Sequence, residues 1–353
     1  MQFCIFTVQM YKKMELTRQE LIRLLNAEGS EAEALRARAD GCRRQWVGNK
    51  VYLRGLIEYS NVCRKNCLYC GIRKENTAVV RYTLSEDEVV AATRTAWREG
   101  YGSVVLQGGE SVSPAHTATI EGLIRRINTL SAGELGITLS LGEQTEETYR
   151  RWFEAGAHRY LLRIESSGEG LYRSIHPADA LHRYDSRREA LRALRRVGYQ
   201  VGTGVMIGLP GQTLENLADD LLFMRQQDID MCGMGPYLEH AQTPLYTRRA
   251  ELWLPEKRLA VALNMVALLR ILMPQINIAA TTALQAIDPA GREKALRAGA
   301  NVVMPNLTPA RYKADYKLYE NKPVTEWPDI PEGEIGYGCR GDSVHFQQRT
   351  VGK

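Results

Sequence analysis

Short apolar segments alternate with amphipathic helical segments through most of the chain, and this alternation restricts the fold more than any other feature. Eight candidate strands occupy residues 51–58, 103–107, 136–141, 159–165, 200–207, 231–234, 277–281 and 301–304. Helical periodicity fills residues 86–99, 118–130, 146–155, 186–197, 213–227, 255–272 and 290–298. Strands separated by helices pair in parallel, and eight such units over about 250 residues predict an α/β fold, the full (β/α)8 TIM barrel.

The segments on either side of the barrel define the domain organisation. We expect a short N-terminal helical cap over residues 1–48, within which residues 1–13 form an extension of little function. The barrel is predicted over 49–320, and an irregular C-terminal tail rich in Pro, Gly and acidic residues over 321–353. Four of the predicted helices end at a glycine, as helices often do: Gly100, Gly156, Gly198 and Gly299.

Composition excludes several classes of protein. Lysine and arginine exceed aspartate and glutamate by 46 to 41, a mild excess that we assign to solvated helix faces rather than to a nucleic-acid surface. No run of about 18 apolar residues is present, so we expect no membrane span. Seven cysteines, three of them clustered, do not form an even disulfide framework. This predicts a reducing compartment, the cytoplasm.

Polar residues and glycines gather after the predicted strands. In a barrel of this kind the functional face lies at the carboxyl ends of the strands. The residues that reach this face are Gln107, Gly108, Gly109, Glu110, Ser140, Arg163, Glu165, the segment 204–212, Thr281 and Thr282. The pattern therefore predicts a site at one rim of the barrel.

Three cysteines leave the first predicted strand with a regular spacing. Cys63, Cys67 and Cys70 stand at positions i, i+4 and i+7 of one loop, where they can converge on a soft metal centre. A structural zinc site takes four protein ligands, so zinc is the weaker alternative. An iron–sulfur cube on three thiolates keeps one iron free to bind a small molecule.

This cysteine spacing, with Tyr69 before the last cysteine and Gly108-Gly109-Glu110 after the second strand, resembles the signature of the radical S-adenosylmethionine (radical SAM) superfamily. The resemblance implies one 4Fe-4S cluster on the three thiolates, with the amino and carboxylate groups of S-adenosylmethionine on the fourth iron. It also implies a reducing electron donor, whose electron cleaves the sulfonium to methionine and a 5'-deoxyadenosyl radical. The expected activity is therefore that of a radical SAM enzyme.

The same resemblance suggests roles at the cofactor site. Tyr69 would lie beside the adenine or shield the cluster, and Gly108 and Gly109 would leave room for the methionyl group. Glu165 would accept hydrogen bonds from the ribose, and Arg187 would pair with the methionyl carboxylate. The remaining predicted cofactor contacts are Glu110, Ser140, Arg163, Met206 and Ile207.

At finer grain the chain is similar to the HydE family of FeFe-hydrogenase maturases, in the branch that also holds biotin synthase and methylornithine synthase. The similar stretches fall between positions 45 and 320 and include 138–143, 208–213 and 299–306. The similarity implies a small organometallic substrate, an Fe(CO)2(CN)-cysteine complex, and companion hydrogenase maturases. The predicted substrate contacts are Arg54, Gln107, Thr281, Thr282, Tyr316 and Tyr319.

Two positions depart from that family. Ile164 replaces a histidine before the glutamate of the fourth strand, and the tail has only Cys339, so a second cluster is not expected. Three alternatives stay open. The missing histidine favours a similar radical SAM enzyme with a different small substrate, and a second alternative is an amino-acid mutase similar to methylornithine synthase. The third is a non-catalytic iron–sulfur scaffold, which would have no use for Gly109, Glu110 and Glu165.

Overall fold

The computed structural model describes residues 16–323 and the backbone of residues 336–338. The described strands are β1 (Lys50–Ser60), β2 (Ser103–Gly108), β3 (Gly136–Ser140), β4 (Arg159–Leu161), β5 (Gln200–Thr203), β6 (Met206–Ile207), β7 (Met231–Cys232), β8 (Gly235–Pro236), β9 (Asn277–Ile278), β10 (Val302–Val303) and β11 (Gly336–Gly338). All eight predicted strands are present, although four of the later ones are shorter than their apolar segments.

The strands of the main sheet pair in parallel, in the order β10-β1-β2-β3-β4-β5-β7-β9. A parallel bridge between Ala279 and Val302 then joins the two ends, with hydrogen bonds from Ala280 N to the Val302 carbonyl (2.9 Å) and from Asn301 N to the Ile278 carbonyl (3.0 Å). Eight strands therefore close on themselves, and the (β/α)8 prediction is confirmed. The backbone of β11 pairs with the first residues of β1.

The fifth predicted strand is divided, which the sequence did not indicate. At Gly204 an added Cβ would lie 2.0 Å from the Gly233 carbonyl oxygen, so the two neighbouring chains approach too closely for any side chain. Past this point Val205 bridges to Glu165, and β6 pairs with β8 in a separate two-stranded sheet. The chain thus changes partners at the rim, close to the site described below.

The described α-helices are α1 (Arg18–Leu25), α2 (Gly29–Val47), α3 (Glu86–Arg98), α4 (Pro114–Ser131), α5 (Glu146–Glu154), α6 (Glu169–Ser174), α7 (Tyr184–Val197), α8 (Leu214–Gln226), α9 (Pro255–Leu272), α10 (Thr282–Ile287), α11 (Gly291–Arg297) and α12 (Ala310–Lys313). Thr17, Ser85 and Thr213 begin α1, α3 and α8 with capping boxes, which satisfy backbone donors at each helix start. The four glycines predicted to end helices have φ between 77° and 117°. This left-handed conformation favours glycine and confirms the predicted helix ends.

The N-terminal helices pack against the outside of the barrel. Arg18 of α1 forms an ion pair with Asp219 of α8 (2.6 Å). Asn264 of α9 donates to the carbonyls of Leu25 and Ala27 and accepts hydrogen bonds from Arg36 of α2. The predicted helical cap is therefore present, whereas residues 1–13 lie outside the described part of the chain.

After α12 the chain crosses the open face of the barrel as an irregular segment, residues 314–322, which we call the strap. Tyr312, Tyr316 and Tyr319 keep helical spacing in the sequence, but the helix ends at Lys313. The reason is that the strap bonds to other loops: Gly71 N donates to the Leu318 carbonyl (2.9 Å), and Glu320 N donates to the Glu239 carbonyl (3.1 Å). The strap thereby covers the rim at which the site was predicted.

Candidate functional site

One cavity of about 320 Å³ lies at the carboxyl ends of the barrel strands, beneath the strap. The loop that carries the cysteines, residues 61–71, forms one wall, and we call it the cysteine loop. Nearly all the predicted site residues line this cavity: Cys63, Cys67, Tyr69, Cys70, Gln107, Gly108, Gly109, Glu110, Ser140, Arg163, Glu165, Arg187, Met206, Thr281, Thr282, Tyr316 and Tyr319. The fold therefore brings together residues that are up to about 250 positions apart in the chain, because parallel strands deliver their ends to one rim.

Arg54 and Ile207 are placed elsewhere. Arg54 lies in the middle of β1 and lines a separate void of about 20 Å³ inside the barrel, with its Nη1 3.4 Å from the Met231 sulfur. Burial lowers the pKa of Arg54 to about 9. Ile207 is fully buried in the hydrophobic core. Neither side chain belongs to the lining of the cavity.

Backbone hydrogen bonds tie the cysteine loop to the end of β2. Gly109 N donates to the Ser60 carbonyl (2.8 Å), Arg64 N donates to the Glu110 carbonyl (2.8 Å), and Glu110 N points at Cys63 Sγ (3.3 Å). An added Cβ on Gly109 would lie 2.4 Å from the Val62 carbonyl oxygen and 2.8 Å from Cys63 Cβ. The glycine at this position is therefore required by the close approach of the cysteine loop, a reason that the sequence did not reveal.

A buried network of charged side chains lies behind the cysteine loop. Glu110 accepts hydrogen bonds from Arg64 Nε (2.9 Å) and from the backbone N of Glu143 (2.8 Å), and Lys65 Nζ lies 3.6 Å away. Lys65 also bonds to Glu143 (3.1 Å), whose other carboxylate oxygen is paired with Arg187 Nε. Burial raises the pKa of Glu143, but the positive charges of Arg187 and Lys65 together have a larger effect. The pKa of this carboxyl is therefore lowered. The network links the loops after β1, β2 and β3 to α7.

Arg187 and Glu110, both predicted as cofactor contacts, are thus already engaged within the protein. Arg187 also donates to the Arg163 carbonyl (2.5 Å), so its guanidinium spans two loops. Sequence reasoning missed Lys65, which holds the cysteine loop by its ion pair with Glu143, a residue 78 positions away. The available signal was the position of this lysine between Cys63 and Cys67.

A second set of contacts holds the cysteine loop from the other side. Asp179 Oδ1 lies 2.7 Å from His182 Nδ1, and His182 Nε2 accepts a hydrogen bond from the backbone N of Asn66 (2.9 Å). Arg81 donates to the backbone carbonyls of Asn61 (2.6 Å), Ile72 (2.8 Å) and Arg73 (2.6 Å). These bonds fix the backbone between and beyond the cysteines.

Cys67 is buried, and Cys63 and Cys70 are partly buried. Burial raises the pKa of Cys67 to about 12, with Arg187 acting in the opposite direction, and burial also raises the pKa of Cys63 and Cys70. Thiolates rather than thiols bind metals, so metal binding here would be coupled to proton release. No three His, Cys, Asp or Glu side chains among the described residues are placed to share one metal ion. Iron–sulfur clusters take thiolate ligands, and three cysteines on the wall of one cavity leave a fourth ligand position open.

Tyr69 and Met206 form an apolar wall next to the thiols. The Tyr69 ring meets the ring of His176 edge-on, with centroids 5.4 Å apart, and His176 stacks on Tyr172 at 4.0 Å. Burial lowers the pKa of His176 to about 3, so this imidazole is neutral. The wall therefore offers flat, uncharged surfaces, as an adenine ring would need.

Glu165 has a strained backbone, with φ of +64°. Its N donates to the Gly204 carbonyl (3.0 Å), its carbonyl accepts from Met206 N (3.1 Å), and its carboxylate pairs with Arg163 (2.9 Å). A non-glycine residue in this region costs about 1–3 kcal/mol and persists only where the surroundings impose it. The contacts on both sides of Glu165 do so, and they direct its carboxylate toward the cavity.

The turn after Glu165 is anchored by a buried carboxyl group. Ser167 N and Ser167 Oγ both donate to Asp220 Oδ1 at 2.6 Å. The other oxygen, Oδ2, has no hydrogen-bond partner among the described residues. Burial raises the pKa of Asp220 from 3.8 to about 7, against the opposing effect of the Ser167 hydrogen bonds.

This group makes stability depend on pH. Between the unfolded pKa of 3.8 and the folded pKa of about 7, the folded protein binds more protons than the unfolded chain, so its stability falls as pH rises. Asp220→Asn keeps an acceptor for Ser167 but cannot ionise. We expect the wild type to lose on the order of 1 kcal/mol of stability relative to this variant between pH 6 and pH 8, measured by urea denaturation. Asp87, whose side chain is 89% exposed, supplies the control, since Asp87→Asn should not alter this slope. A stability difference between the wild type and Asp220→Asn that is the same at pH 6 and at pH 8 would contradict the assignment.

Hydroxyl groups also line the cavity. Thr282 Oγ1 and Tyr319 Oη lie 2.8 Å apart, and Thr281 Oγ1 donates to the Met234 carbonyl (3.1 Å). Gln107 Nε2 lies 3.4 Å from Tyr316 Oη. We call Thr281, Thr282, Tyr316 and Tyr319 the threonine–tyrosine side of the cavity.

An ion pair that sequence reasoning missed lies in the same cavity. Glu58, at the end of β1, is almost fully buried, and its carboxylate pairs with Lys322 of the strap and accepts from Asn306 Nδ2 (3.1 Å). Lys322 also donates to the Tyr316 carbonyl (3.0 Å), and its ammonium lies 4.9 Å from the Tyr316 ring centroid. No spacing connects positions 58 and 322, and only the path of the strap across the rim brings them together.

Comparison with known proteins agrees with this geometry. The sequence profile of the Radical SAM superfamily matches residues 57–224. The chain is 44% identical over 314 residues to the [FeFe] hydrogenase maturase subunit HydE of Thermotoga maritima. This alignment covers 88% of this chain and 86% of that protein. Its fold is similar to the crystal structure of methylornithine synthase (PylB), with a TM-score of 0.73 and 25% identity over 87% of this chain and 88% of that one. It is also similar to the crystal structure of the maturase HydG, with a TM-score of 0.74 and 19% identity over 90% of this chain and 70% of that one.

None of the described helices has the length and apolar character needed to cross a membrane.

Proposed function

Because this chain belongs to the radical SAM superfamily, we propose that it acts in the cytoplasm as a hydrogenase maturase of the HydE type. Its substrate in this proposal is a small Fe(CO)2(CN)-cysteine complex in assembly of the FeFe-hydrogenase cofactor. The observation that carries the proposal is the single cavity that joins three thiols to a hydroxyl-lined side beneath the strap. The identity of 44% to the HydE relative supports it.

The residues present fit one 4Fe-4S cluster and S-adenosylmethionine. Cys63, Cys67 and Cys70 are three thiols on one wall of the cavity, and they leave one iron of a four-iron cluster without a protein ligand. When bound, these two cofactors supply reductive cleavage of the sulfonium and a 5'-deoxyadenosyl radical. Tyr69 and Met206 would border the adenine, and the Glu165 carboxylate would accept hydrogen bonds from the ribose.

The rest of the cavity would receive the substrate. Thr282 and Tyr319 hydroxyls form a pair that can donate to a carboxylate or to a cyanide nitrogen. The strap covers this side, so it would exclude water while the radical reacts. In this proposal the protein binds, orients and shields, and the cofactors supply the reactive species.

The hydroxyl pair gives a direct test of the substrate side. Replacing Thr282 by valine and Tyr319 by phenylalanine removes both hydroxyls while keeping the side-chain volumes. Hydrogen bonds to a charged group contribute about 1.5–3 kcal/mol, so we expect the KM for the substrate complex to rise at least about tenfold. Tyr312→Phe is the matched control, because Tyr312 stacks on Tyr82 and is absent from the cavity lining.

The proposed function as a whole is tested in cells that lack the HydE-type maturase but keep its companions. Expression of this chain should restore hydrogenase activity, and the Thr282→Val/Tyr319→Phe variant should restore much less. Failure of the unaltered chain to restore activity, with normal S-adenosylmethionine cleavage in vitro, would contradict the maturase assignment.

One observation favours a second candidate, an amino-acid mutase similar to methylornithine synthase. The cavity contains the opposite charges of Glu58 and Lys322, which an amino acid with its own carboxylate and ammonium groups could engage. The structural similarity to methylornithine synthase is compatible with this substrate class. Turnover of lysine by the reconstituted protein, together with failure in the cell assay, would favour the mutase.

A further inference from the structure

One buried arginine has no partner for most of its guanidinium group. Arg292, the second residue of α11, is 1% exposed, and its Nε and Nη2 have no hydrogen-bond partner among the described residues. Other buried arginines are paired, Arg43 with Asp40 (2.7 Å) and Arg258 with Glu239 (2.9 Å). Burial of a charged group without hydrogen-bond partners destabilises a fold, so stability does not account for an arginine at this position.

Arg292 directly follows a close contact between α11 and α10, the helix that carries Thr282. At Gly291, the first residue of α11, an added Cβ would lie 2.3 Å from the Leu284 carbonyl oxygen of α10. The Thr282 hydroxyl lies 2.8 Å from Tyr319 Oη, and both residues line the cavity. Arg292 is absent from that lining. An effect of its charge on a ligand therefore passes through residues of the lining rather than through direct contact.

Tyr319 is the lining residue on which this charge acts. Burial raises the pKa of Tyr319 to about 12, whereas the hydrogen bond with Thr282 and the positive charges of Arg163 and Arg292 lower it. The negative charge of Glu58 raises it. Glu58 and Arg163 are both held in ion pairs within the protein. The charge of Arg292 is therefore the least compensated of the three that reach this hydroxyl.

The adjacent Glu293 does not neutralise Arg292 by a two-bond pair. Glu293 Oε2 has no hydrogen-bond partner among the described residues, as is the case for two of the guanidinium nitrogens. Burial lowers the pKa of Arg292, while Glu293 and Tyr319 raise it. The guanidinium and the Tyr319 hydroxyl thus stabilise each other's charged forms.

A nearby cation determines which way a hydroxyl group points. The hydroxyl of Tyr319 has one proton to donate and lone pairs to accept with. A positive charge attracts the oxygen and repels the proton, so the proton turns away from Arg292 and toward Thr282 Oγ1. Hydrogen bonds in a chain polarise one another, and Thr282 is then left with its own proton to donate to a ligand.

We propose that Arg292 is a positioning residue that fixes the direction of the Thr282–Tyr319 hydrogen bond and thereby selects a substrate group that accepts hydrogen bonds. The substrates that fit carry a carboxylate or a cyanide at this position. An ammonium group is disfavoured, because it meets the proton of Thr282 and the charge of Arg292. This inference rests on the proposed function, since it concerns the substrate preference of the same cavity.

The link between Arg292 and Tyr319 is tested without any substrate. Arg292→Met removes the charge and keeps a long, flexible side chain. With 3,5-difluorotyrosine at position 319, fluorine NMR follows the ionisation of this one ring, and fluorination brings its pKa into a range in which the protein stays folded. We expect this pKa to be higher in Arg292→Met, because the phenolate loses a favourable charge, and to return toward the original value in Arg292→Lys.

Substrate recognition is tested in two backgrounds. In the unaltered chain, Arg292→Met should raise the KM for the substrate complex at least about fivefold. In the Thr282→Val/Tyr319→Phe background it should raise that KM by less than about twofold, because the pair through which it acts is absent. The KM for S-adenosylmethionine should stay within about twofold in both backgrounds. Equal increases in the two backgrounds would overturn the proposal.

Stability separates this role from a purely structural one. Removal of an unpaired buried charge should leave the urea midpoint of Arg292→Met unchanged or raise it. Arg297→Met, at an exposed arginine of the same helix, is the matched control and should leave the pKa at position 319 and both KM values unaltered. A marked fall in the midpoint of Arg292→Met would assign this arginine to the structure of the fold, and the inference would be wrong.

Failure of this inference is distinguishable from failure of the proposed function. If the unaltered protein turned over lysine and not the iron complex, the maturase assignment would be contradicted. The titration at position 319 needs no substrate, so it would still decide whether Arg292 acts on Tyr319. An unchanged pKa at position 319 in Arg292→Met would overturn the inference whatever the substrate proves to be.

Discussion

Replacing Cys67 by serine is expected to abolish the formation of 5'-deoxyadenosine and to prevent loading of about four irons per chain. Cys67 is buried in the wall of the cavity, between Cys63 and Cys70 in sequence. A serine hydroxyl at this position is a harder ligand that does not ionise near neutral pH, so it cannot replace the thiolate. Iron and sulfide analysis of the anaerobically reconstituted protein, with chromatographic detection of 5'-deoxyadenosine, measures both effects.

Cys42 provides the matched control for this substitution. It is also buried, but it is absent from the cavity lining. Its sulfur lies 3.5 Å from the Arg270 carbonyl, and a serine there can keep that hydrogen bond. Cys42→Ser should retain the iron content and the cleavage activity of the unaltered protein. If the unaltered protein bound one zinc ion and released no 5'-deoxyadenosine, the cluster would be the wrong assignment for the three cysteines.

Gly109→Ala is expected to have the second largest effect, although it adds only a methyl group. The added Cβ would lie 2.4 Å from the Val62 carbonyl oxygen and 2.8 Å from Cys63 Cβ, and both atoms belong to or adjoin the backbone of the cysteine loop. The loop must therefore move, and overpacking of this kind costs about 1–3 kcal/mol. We expect a lower free energy of unfolding and a substantial loss of cluster loading, measured by denaturation and iron analysis on the same preparation.

Gly122→Ala distinguishes this effect from the general consequence of replacing glycine. Gly122 lies in the middle of α4, and no heavy atom is within 4 Å of its added Cβ. Alanine has the higher helix propensity, so this variant should be more stable by about 0.5–1 kcal/mol and should load the cluster normally. Full cluster loading by Gly109→Ala would show that the cysteine loop does not depend on its contact with β2.

The barrel was predictable because its signals are local. Each strand reads as a short apolar run, and each helix begins and ends at residues whose preferences act within a few positions, as Ser85 and Gly198 do. The interruption of the fifth strand at Gly204 was not predictable, since it arises from the Gly233 carbonyl on a neighbouring strand. The course of the strap was missed for the same reason, because its backbone bonds to loops far away in sequence.

Within the candidate site, the sequence could identify residue types but not what each one contacts. Gly109 was correctly placed at the rim, but the structure connects it to the cysteine loop rather than to open space. Arg187 was predicted to meet a ligand carboxylate, and it pairs with Glu143 of the protein itself. Glu58 and Lys322 could not be linked at all, because ion pairs have no sequence periodicity. The ligand contacts of the cavity residues stay predictions.

The sequence by itself determined that three closely spaced thiols follow the first strand of an eight-stranded barrel. Spacing and periodicity are properties of neighbouring residues, so they can be recognised before the chain is folded. The tertiary structure alone decided which side chains line the cavity together with those thiols, and which carboxylates pair with the buried lysine and arginine side chains. Those outcomes depend on atoms brought together from distant positions, where burial and close approach set the energies.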